Sequence, residues 1–236
     1  MDSTRLHLSR TSSPRRTLVI MAKAPRRGLV KTRLTESLPS DAVIELYRCL
    51  LDDTLALAKS LTNVKVAVMC PEADREELTR LLGDTVEVVA QQGAGLAAGL
   101  TSVFRHFTAD DYRHVIAFNS DSPHLAPSVL QGAFEILTTR DVVVGPTNDG
   151  GYYLVGAKAA HPSLFENDGL GTGSALARLL TRTEALALAT GFTETFYDID
   201  VASDLIQLAR ELHLAPQKAP RTAAWLARSL PEIGDL

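Results

Sequence analysis

The stretch Thr17-Leu-Val-Ile-Met-Ala-Lys-Ala-Pro-Arg-Arg-Gly-Leu-Val-Lys-Thr-Arg-Leu34 joins an apolar run to a strongly basic turn. Residues 17–22 have the composition of a buried β-strand. The turn that follows carries five cations, which repel one another unless an anion neutralises them. Open α/β sheets bind their ligands at the carboxyl ends of the strands. The stretch therefore predicts an anion-binding loop after the first strand of such a sheet.

Charge is distributed unevenly along the 236-residue chain. The first 33 residues hold nine Lys or Arg and a single acid, a charge of +8, whereas the remainder has 15 bases and 27 acids, a charge of −12. A net charge of −4 argues against a nucleic-acid-binding protein, which needs a basic face over the whole domain. We therefore expect a phosphate-rich small ligand at one end of an otherwise acidic enzyme.

Cellular location is indicated by two absences from the sequence. No apolar stretch approaches the roughly 20 residues of a membrane helix. The two cysteines, Cys49 and Cys70, lack metal-binding spacing, which suits a reducing compartment. We expect a cytoplasmic protein without membrane partners. The sequence leaves the oligomeric state open, a homodimer included.

Strand and helix patterns alternate along the chain. The predicted strands are 17–22, 64–69, 85–90, 114–118, 141–145, one ending at 156 and a short one within 192–200; the predicted helices lie within 41–61, 71–82, 93–107, 127–137, 172–189, 201–213 and 221–230. Such alternation predicts an α/β fold, a three-layer α/β/α sandwich with a mostly parallel, Rossmann-like sheet. No repeat or long linker interrupts the pattern, so we expect a single domain over residues 17–236.

Residues 1–16 differ from the rest of the chain. They are rich in Arg and Ser and contain one acid, a composition shared with organelle transit peptides. A disordered tail is the preferred interpretation, because nothing in this segment can build a core.

The basic loop is the candidate nucleotide-binding segment. Lys and Arg suit phosphate oxygens as point charges and bidentate forks respectively, and a glycine allows the backbone to approach a ligand closely. A solvated turn is the alternative, and the spacing of a Walker A loop is absent. The nucleotide-binding candidates here are Lys23, Ala24, Pro25, Arg26, Arg27, Gly28, Lys31 and Arg33, with Lys31 also a catalytic candidate.

Three carboxylates are the candidate metal ligands. Asp121, also a catalytic candidate, follows the most apolar strand, where a carboxylate can hold Mg²⁺ together with phosphate oxygens and water. Asp198 and Asp200 flank an apolar residue, so both would point to one face of a strand. The alternatives are a turn-forming Asp121 and an Asp200 that caps the following helix. Mg²⁺, or Mn²⁺, is the predicted cofactor.

Two further loops are candidates for substrate contacts. The segment Asn148-Asp149-Gly150-Gly151-Tyr152 predicts either a tight turn between strands or an acceptor-binding loop in which Asp149 has a catalytic role. The Gly-rich segment 91–100 predicts either a loop that contacts base or sugar, through Gln92, Gly95 and Leu96, or a close-packed helix start.

Taken together, these motifs resemble a known family. Met21-Ala-Lys-Ala-Pro25, Val30-Lys-Thr-Arg-Leu34, Ser120-Asp-Ser-Pro123, Gly145-Pro146 with Asp149-Gly-Gly-Tyr-Tyr-Leu154, and Asp198-Ile-Asp200 with Asp204-Leu205 occur in one order. The set is similar to an uncharacterised, glycosyltransferase-like bacterial family of the nucleotide-diphospho-sugar transferase superfamily. Lys-Thr-Arg-Leu and Gly95-Leu-Ala-Ala-Gly-Leu100 also resemble the 2-phospho-lactate guanylyltransferases.

The resemblance implies a GT-A-like or nucleotidyltransferase fold. A nucleotide would lie over the amino-terminal half of the sheet and a small-molecule acceptor over the carboxyl half. A divalent ion held by Asp121, with Asp198 or Asp200, would sit between them.

Two transferase mechanisms fit these features. In nucleotidyl transfer an NTP reacts with a phosphorylated acceptor and pyrophosphate leaves, whereas in glycosyl transfer an NDP-sugar loses its diphosphate. Five cations exceed what a metal-bound NDP-sugar requires, so nucleotidyl transfer is favoured. A catalytically silent nucleotide- or partner-binding protein is the third option, and the presence of Asp121, Asp198 and Asp200 counts against it.

Overall fold

The apolar run 17–22 lies in the middle of a seven-stranded sheet. The computed structural model describes residues 15–166 and 174–229. The strands are β1 (Arg16–Met21), β2 (Val64–Cys70), β3 (Glu87–Ala90), β4 (His114–Asn119), β5 (Val142–Pro146), β6 (Tyr152–Ala157) and β7 (Thr190–Phe192). Their order across the sheet is β3-β2-β1-β4-β6-β5-β7, and among these strands β6 alone runs antiparallel to its neighbours. The mostly parallel sheet is as predicted.

Helices cover both faces of this sheet. They are α1 (Ser40–Lys59), α2 (Arg75–Leu82), α3 (Gly95–Ala109), α4 (Pro127–Thr139), α5 (Ala175–Ala185), α6 (Ala202–Leu214) and α7 (Pro220–Ser229). One core joins the sheet to α1, α2 and α4, and a second joins its other face to α3 and α5. A third apolar cluster packs α1 against α6 and α7. The predicted three-layer α/β/α sandwich is confirmed.

The region after α5 differs from the prediction. The strand expected within 192–200 is instead β7, which pairs with β5 over residues 190–192. Residues 193–200 form no strand; the Thr193 N–H donates to the Val144 carbonyl of β5 at 3.0 Å, and Phe196 forms an isolated bridge with Thr147. The helix expected over 172–189 is shorter, since α5 ends at Ala185; residues 172 and 173 lie outside the described part of the chain. Ala187 has a left-handed backbone with φ 53°, which ends the helical course and turns the chain back to the sheet.

The amino-terminal tail prediction falls mostly outside the described residues, which begin at Arg15. Arg15 and Arg16 belong to the folded part and correct the predicted end of the tail. The Arg15 guanidinium lies 4.1 Å from the centre of the Tyr112 ring, and Arg16 is the first residue of β1.

None of the helices described is both long and apolar enough to cross a membrane.

Candidate active site

The basic loop and Asp121 meet because β1 and β4 are parallel neighbours. Met21 at the end of β1 pairs in register with Asn119 at the end of β4, so the loops that follow leave the same edge of the sheet. A cavity of about 480 Å³ opens at this edge. It is lined by Met21, Ala22, Lys23, Leu29, Val30, Lys31, Tyr47, Met69, Pro71, Gln91, Gly95, Leu96, Ser120, Asp121 and Asp200.

Asp121, Asp198 and Asp200 form a carboxylate cluster beside this cavity. Each offers an oxygen, and these oxygens all lie within 4.8 Å of one another. Ile199 is fully buried between the two later acids, so the alternation expected of a strand holds although residues 198–200 are not paired in the sheet. Burial, with the Asp200 carboxylate beside it, raises the pKa of Asp198 to about 6. Hard oxygen ligands at this density suit Mg²⁺ or Mn²⁺.

The Lys31 ammonium is the cation that pairs with this carboxylate cluster. Its Nζ lies 2.7 Å from Asp121 Oδ2 and 2.9 Å from Asp200 Oδ1, and the side chain is 4% exposed. Burial opposes the charge, but the two carboxylates outweigh it and raise the pKa of Lys31. The Lys31 backbone has φ 47° and ψ 43°, a left-handed conformation that non-glycine residues adopt rarely.

The other cations of the basic loop have different surroundings. Arg26 forms ion pairs with Asp74 at 3.0 Å and Glu77 at 2.7 Å, and Arg27 pairs with Asp41. Arg33 is largely exposed, 3.9 Å from Asp200. Lys23 is exposed and lines the cavity. Of the five predicted phosphate ligands, the two lysines line the cavity and two arginines are neutralised by acids.

The remaining loop residues support the backbone. Ala24 and Pro25 are buried, and the Ala24 N–H donates to Asp74 Oδ2 at 3.0 Å. Gly28 has φ 73°, which an L side chain would strain. These three residues shape the turn that carries the cations.

The Gly-rich segment begins α3, as the close-packed alternative proposed, and it also forms one wall of the cavity. Gly95 and Leu96 line the cavity together with Gln91. The Gln91 amide nitrogen donates to the carbonyls of Gly93 and Gly95 at 2.9 and 3.1 Å, which fixes its side chain. Gln92 instead lines a separate cavity of about 160 Å³.

The 148–152 segment forms the turn between β5 and β6, so the tight-turn alternative holds. Asp149 Oδ1 accepts hydrogen bonds from Thr147 Oγ1 at 2.5 Å and from the Gly151 N–H at 3.1 Å. The Thr147 hydrogen bond outweighs burial and lowers the pKa of Asp149. Asn148 donates its backbone N–H to the Phe196 carbonyl at 3.3 Å, and Tyr152 begins β6. The turn therefore adjoins the segment that carries Asp198, and Gly150 lies at its tip.

Three side chains help to position Asp121 and its neighbours: Tyr47, which no motif reveals, and Ser120 and Ser122 of the Ser-Asp-Ser-Pro motif. The Tyr47 hydroxyl lies 3.4 Å from Ser120 Oγ, which in turn donates to Asp121 Oδ1 at 3.1 Å. Ser122 Oγ donates to the Tyr197 carbonyl at 3.3 Å. This hydrogen bond ties the segment of Asp121 to the segment of Asp198 and Asp200. Tyr47 shows in the sequence only as one position of the apolar face of α1.

The alternative in which Asp200 caps the following helix is wrong. Asp204 Oδ2, not Asp200, caps α6, accepting the N–H groups of Asp200 and Val201 at 2.9 Å each. The Asp200 side chain is therefore free to face the cluster.

The fold that carries this acidic cluster and buried lysine is shared with a protein of the nucleotide-diphospho-sugar transferase superfamily, at a TM-score of 0.86 and 26% identity. The family model described as "uncharacterized protein conserved in bacteria (DUF2064)" matches residues 54–172, and the chain belongs to this family. The predicted family resemblance is confirmed. A search of curated proteins gives no match.

Solved structures share the fold. A Desulfovibrio desulfuricans G20 protein assigned to the nucleotide-diphospho-sugar transferases has 26% identity and a TM-score of 0.86, with 94% of this chain and 97% of that chain covered. A Methanothermobacter nucleotidyl transferase has 19% identity and a TM-score of 0.59 over 84% and 98% of the two chains. Rv0371c of Mycobacterium tuberculosis H37Rv, in complex with manganese, has 18% identity and a TM-score of 0.52 over 84% and 98%.

Proposed function

We propose that the protein is a nucleotidyltransferase that uses Mg²⁺ or Mn²⁺ to join an NTP to a small phosphorylated acceptor. An acceptor phosphate oxygen forms a bond to the α-phosphorus of the NTP. The bond from that phosphorus to the bridging oxygen breaks, and pyrophosphate leaves with the electron pair. The acceptor phosphate thereby gains a nucleoside monophosphate, so the product carries a nucleoside diphosphate whose outer phosphate was the acceptor's own.

The observation that carries this proposal is the cluster of Asp121, Asp198 and Asp200 around the Lys31 ammonium at the cavity. Three carboxylates within one ion's reach are costly to hold together unless a cation binds them. The cluster borders a cavity of a size that a nucleotide can occupy. Similarity to a nucleotidyl transferase and to a manganese-bound structure supports the same class of chemistry.

Each part of the cavity has a role in this proposal. Lys31 and Lys23 contact the triphosphate, and Gln91, Gly95 and Leu96 enclose the nucleoside. The divalent ion, held by the three carboxylates, neutralises charge on the phosphate chain. The acceptor lies on the side of the β5–β6 turn, where exposed Arg33 offers a cation to its phosphate.

The state of Asp149 favours nucleotidyl over glycosyl transfer. A neutral acceptor hydroxyl needs a base of suitable pKa, whereas an acceptor phosphate is already ionised. Asp149, the candidate base, is committed to Thr147 and Gly151 within its own turn, and its pKa is lowered. A group of this kind is a poor proton acceptor.

Glycosyl transfer from an NDP-sugar remains the second candidate, on one observation. Arg26 and Arg27 are neutralised by acids, so less free positive charge faces the cavity than a triphosphate would ideally meet. The Desulfovibrio structure with 26% identity is likewise assigned to the nucleotide-diphospho-sugar transferases.

A thermal-shift panel with Mg²⁺ or Mn²⁺ and GTP, CTP, UTP, ATP, UDP-glucose and GDP-mannose tests the proposal. A ligand at about 100 times its dissociation constant stabilises the fold by about 2.7 kcal/mol. We expect one NTP to stabilise the protein above every NDP-sugar, and Asp121→Asn to abolish the effect. Asp84→Asn, which removes the same charge from an exposed turn, is the matched control. A preference for an NDP-sugar would replace this proposal with glycosyl transfer.

A further inference from the structure

The Lys31 ammonium occupies the position where a cation is needed. It is within hydrogen-bond distance of two of the three carboxylates, at 2.7 Å from Asp121 and 2.9 Å from Asp200. Its side chain is nearly closed off from solvent. A lysine that served only to bind phosphate would extend into the cavity rather than into the acidic cluster.

We propose that Lys31 is a tethered counter-ion that occupies the carboxylate cluster in the ligand-free protein and moves to the phosphate chain when a metal–nucleotide complex binds. This inference rests on the proposed function, because it needs both a metal at the cluster and a phosphate in the cavity. Its consequence is that the metal alone binds weakly, and metal and nucleotide bind cooperatively.

Competition for the same carboxylates is the first step of the reasoning. The ammonium offsets part of the charge of the three acids, so the cluster can remain assembled without a divalent ion. A divalent ion held by Asp121 and Asp200 would lie beside the ammonium, and two cations at contact distance repel strongly in a half-buried site. The ammonium must therefore leave before the metal can be held by both carboxylates.

The means of leaving is the second step. Val30 and Leu34 are buried on either side of Lys31 and anchor the backbone of the loop. The four-carbon side chain can swing about this anchor, because lysine is a flexible stem with a compact charge. The left-handed backbone at Lys31 aims that stem at the cluster, and the same residue lines the cavity.

The destination of the ammonium is the third step. A nucleotide phosphate in the cavity offers Lys31 oxygens that replace those of Asp121 and Asp200. A bound nucleotide thereby draws away the ammonium that competes with the metal for the carboxylates. A bound metal occupies the carboxylates that compete with the nucleotide for the ammonium. Reciprocal strengthening of this kind is a coupling free energy between two ligands.

Competition between Lys31 and the metal is tested by titrating the full chain with Mn²⁺ alone and measuring the free ion by electron paramagnetic resonance. Lys31→Met removes the competitor, and we expect its dissociation constant for Mn²⁺ to be at least tenfold lower than that of the wild type. Lys59→Met removes the same charge from an exposed residue outside this cavity, and we expect a change below threefold. Equal or weaker Mn²⁺ binding by a folded Lys31→Met protein would overturn the inference.

A second measurement is made on the wild-type protein, and one variant serves only to assign the signal. The ¹⁵N signal of the Lys31 ammonium, identified by its loss in Lys31→Gln, reports whether that group is buried against carboxylates. We expect saturating Mg²⁺ with the preferred nucleotide to shift this signal and change its proton exchange. An unchanged signal at saturation would overturn the inference even if Lys31→Met did not fold.

The two proposals fail in distinguishable ways. Absence of Mn²⁺ binding to wild type and to Lys31→Met alike overturns the metal site itself, and with it both proposals. Tighter Mn²⁺ binding by Lys31→Met without stabilisation by any nucleotide supports the competition but refutes the proposed function.

Discussion

Acidification should destabilise the protein through His124, a buried residue that packs against the segment leading to Asp198. Its side chain is fully buried, and both ring nitrogens lack a hydrogen-bond partner among the described residues. The ring packs against Phe196 and Tyr197, with centroids 4.7 and 4.8 Å away. Burial lowers the pKa of His124 to about 4, although the nearby Glu211 carboxylate opposes this change and Lys218 adds to it.

The magnitude follows from the difference between the folded and unfolded states. The histidine pKa falls from 6.5 in the unfolded chain to about 4 in the fold, and each tenfold change in proton affinity corresponds to about 1.36 kcal/mol. Since the unfolded state binds the proton more tightly, the contribution of His124 to stability is complete above pH 6.5 and is lost as the pH falls towards 4. The loss through this residue alone is about 3 kcal/mol.

Urea denaturation of the wild type and of His124→Phe at several pH values between about 4 and 8 measures this effect. Phenylalanine retains a ring against Phe196 and Tyr197 but has no proton to bind, so the variant loses the contribution of His124 and keeps those of all other groups. We expect the difference between the two unfolding free energies to change by about 3 kcal/mol across this pH range. Parallel pH profiles would refute this explanation.

Three further substitutions test the surroundings of the site. Asp53→Ala removes the carboxylate that accepts two backbone N–H groups at the start of α7. It should lower the unfolding free energy by about 2–3 kcal/mol in urea denaturation, and an unchanged value would contradict this role. Gly99→Ala places a Cβ 2.7 Å from the Gln91 amide oxygen, and should cost about 1–3 kcal/mol and weaken nucleotide binding measured by calorimetry. Unchanged stability and binding would contradict this close packing. Tyr47→Phe removes the hydroxyl that accepts the Lys23 N–H at 3.1 Å and lies 3.4 Å from Ser120 Oγ, and should cost about 1 kcal/mol in the same denaturation assay, with an unaltered midpoint as the contradicting result.

The location of the site could be predicted because it depends on sheet topology. Once β1 and β4 are read as buried strands of a parallel sheet, Lys31 and Asp121 must leave the same edge. Asp198 and Asp200 point to the same side because side chains alternate along this segment, with Ile199 buried on the other side. The alternation holds although the segment is not paired in the sheet. Patterns of this kind are set by neighbouring residues and so are visible in one sequence.

The partners of individual charges could not be predicted in the same way. Arg26 is neutralised by Asp74 and Glu77, which lie far along the chain and belong to another helix and turn. Lys31, which lines the cavity, pairs with Asp121 and Asp200, and Asp204 takes the capping role that Asp200 could have filled. These choices depend on side-chain geometry across distant segments, for which charge counting along the sequence gives no guide.

Anomalous diffraction from crystals grown with Mn²⁺ and a non-hydrolysable analogue of the preferred NTP tests the central claim most directly. We predict one strong manganese peak between Asp121 and the pair Asp198 and Asp200, with the triphosphate in the 480 Å³ cavity. The Lys31 ammonium should then contact phosphate oxygens. A manganese peak away from these carboxylates, or a nucleotide bound outside the cavity, would contradict the account.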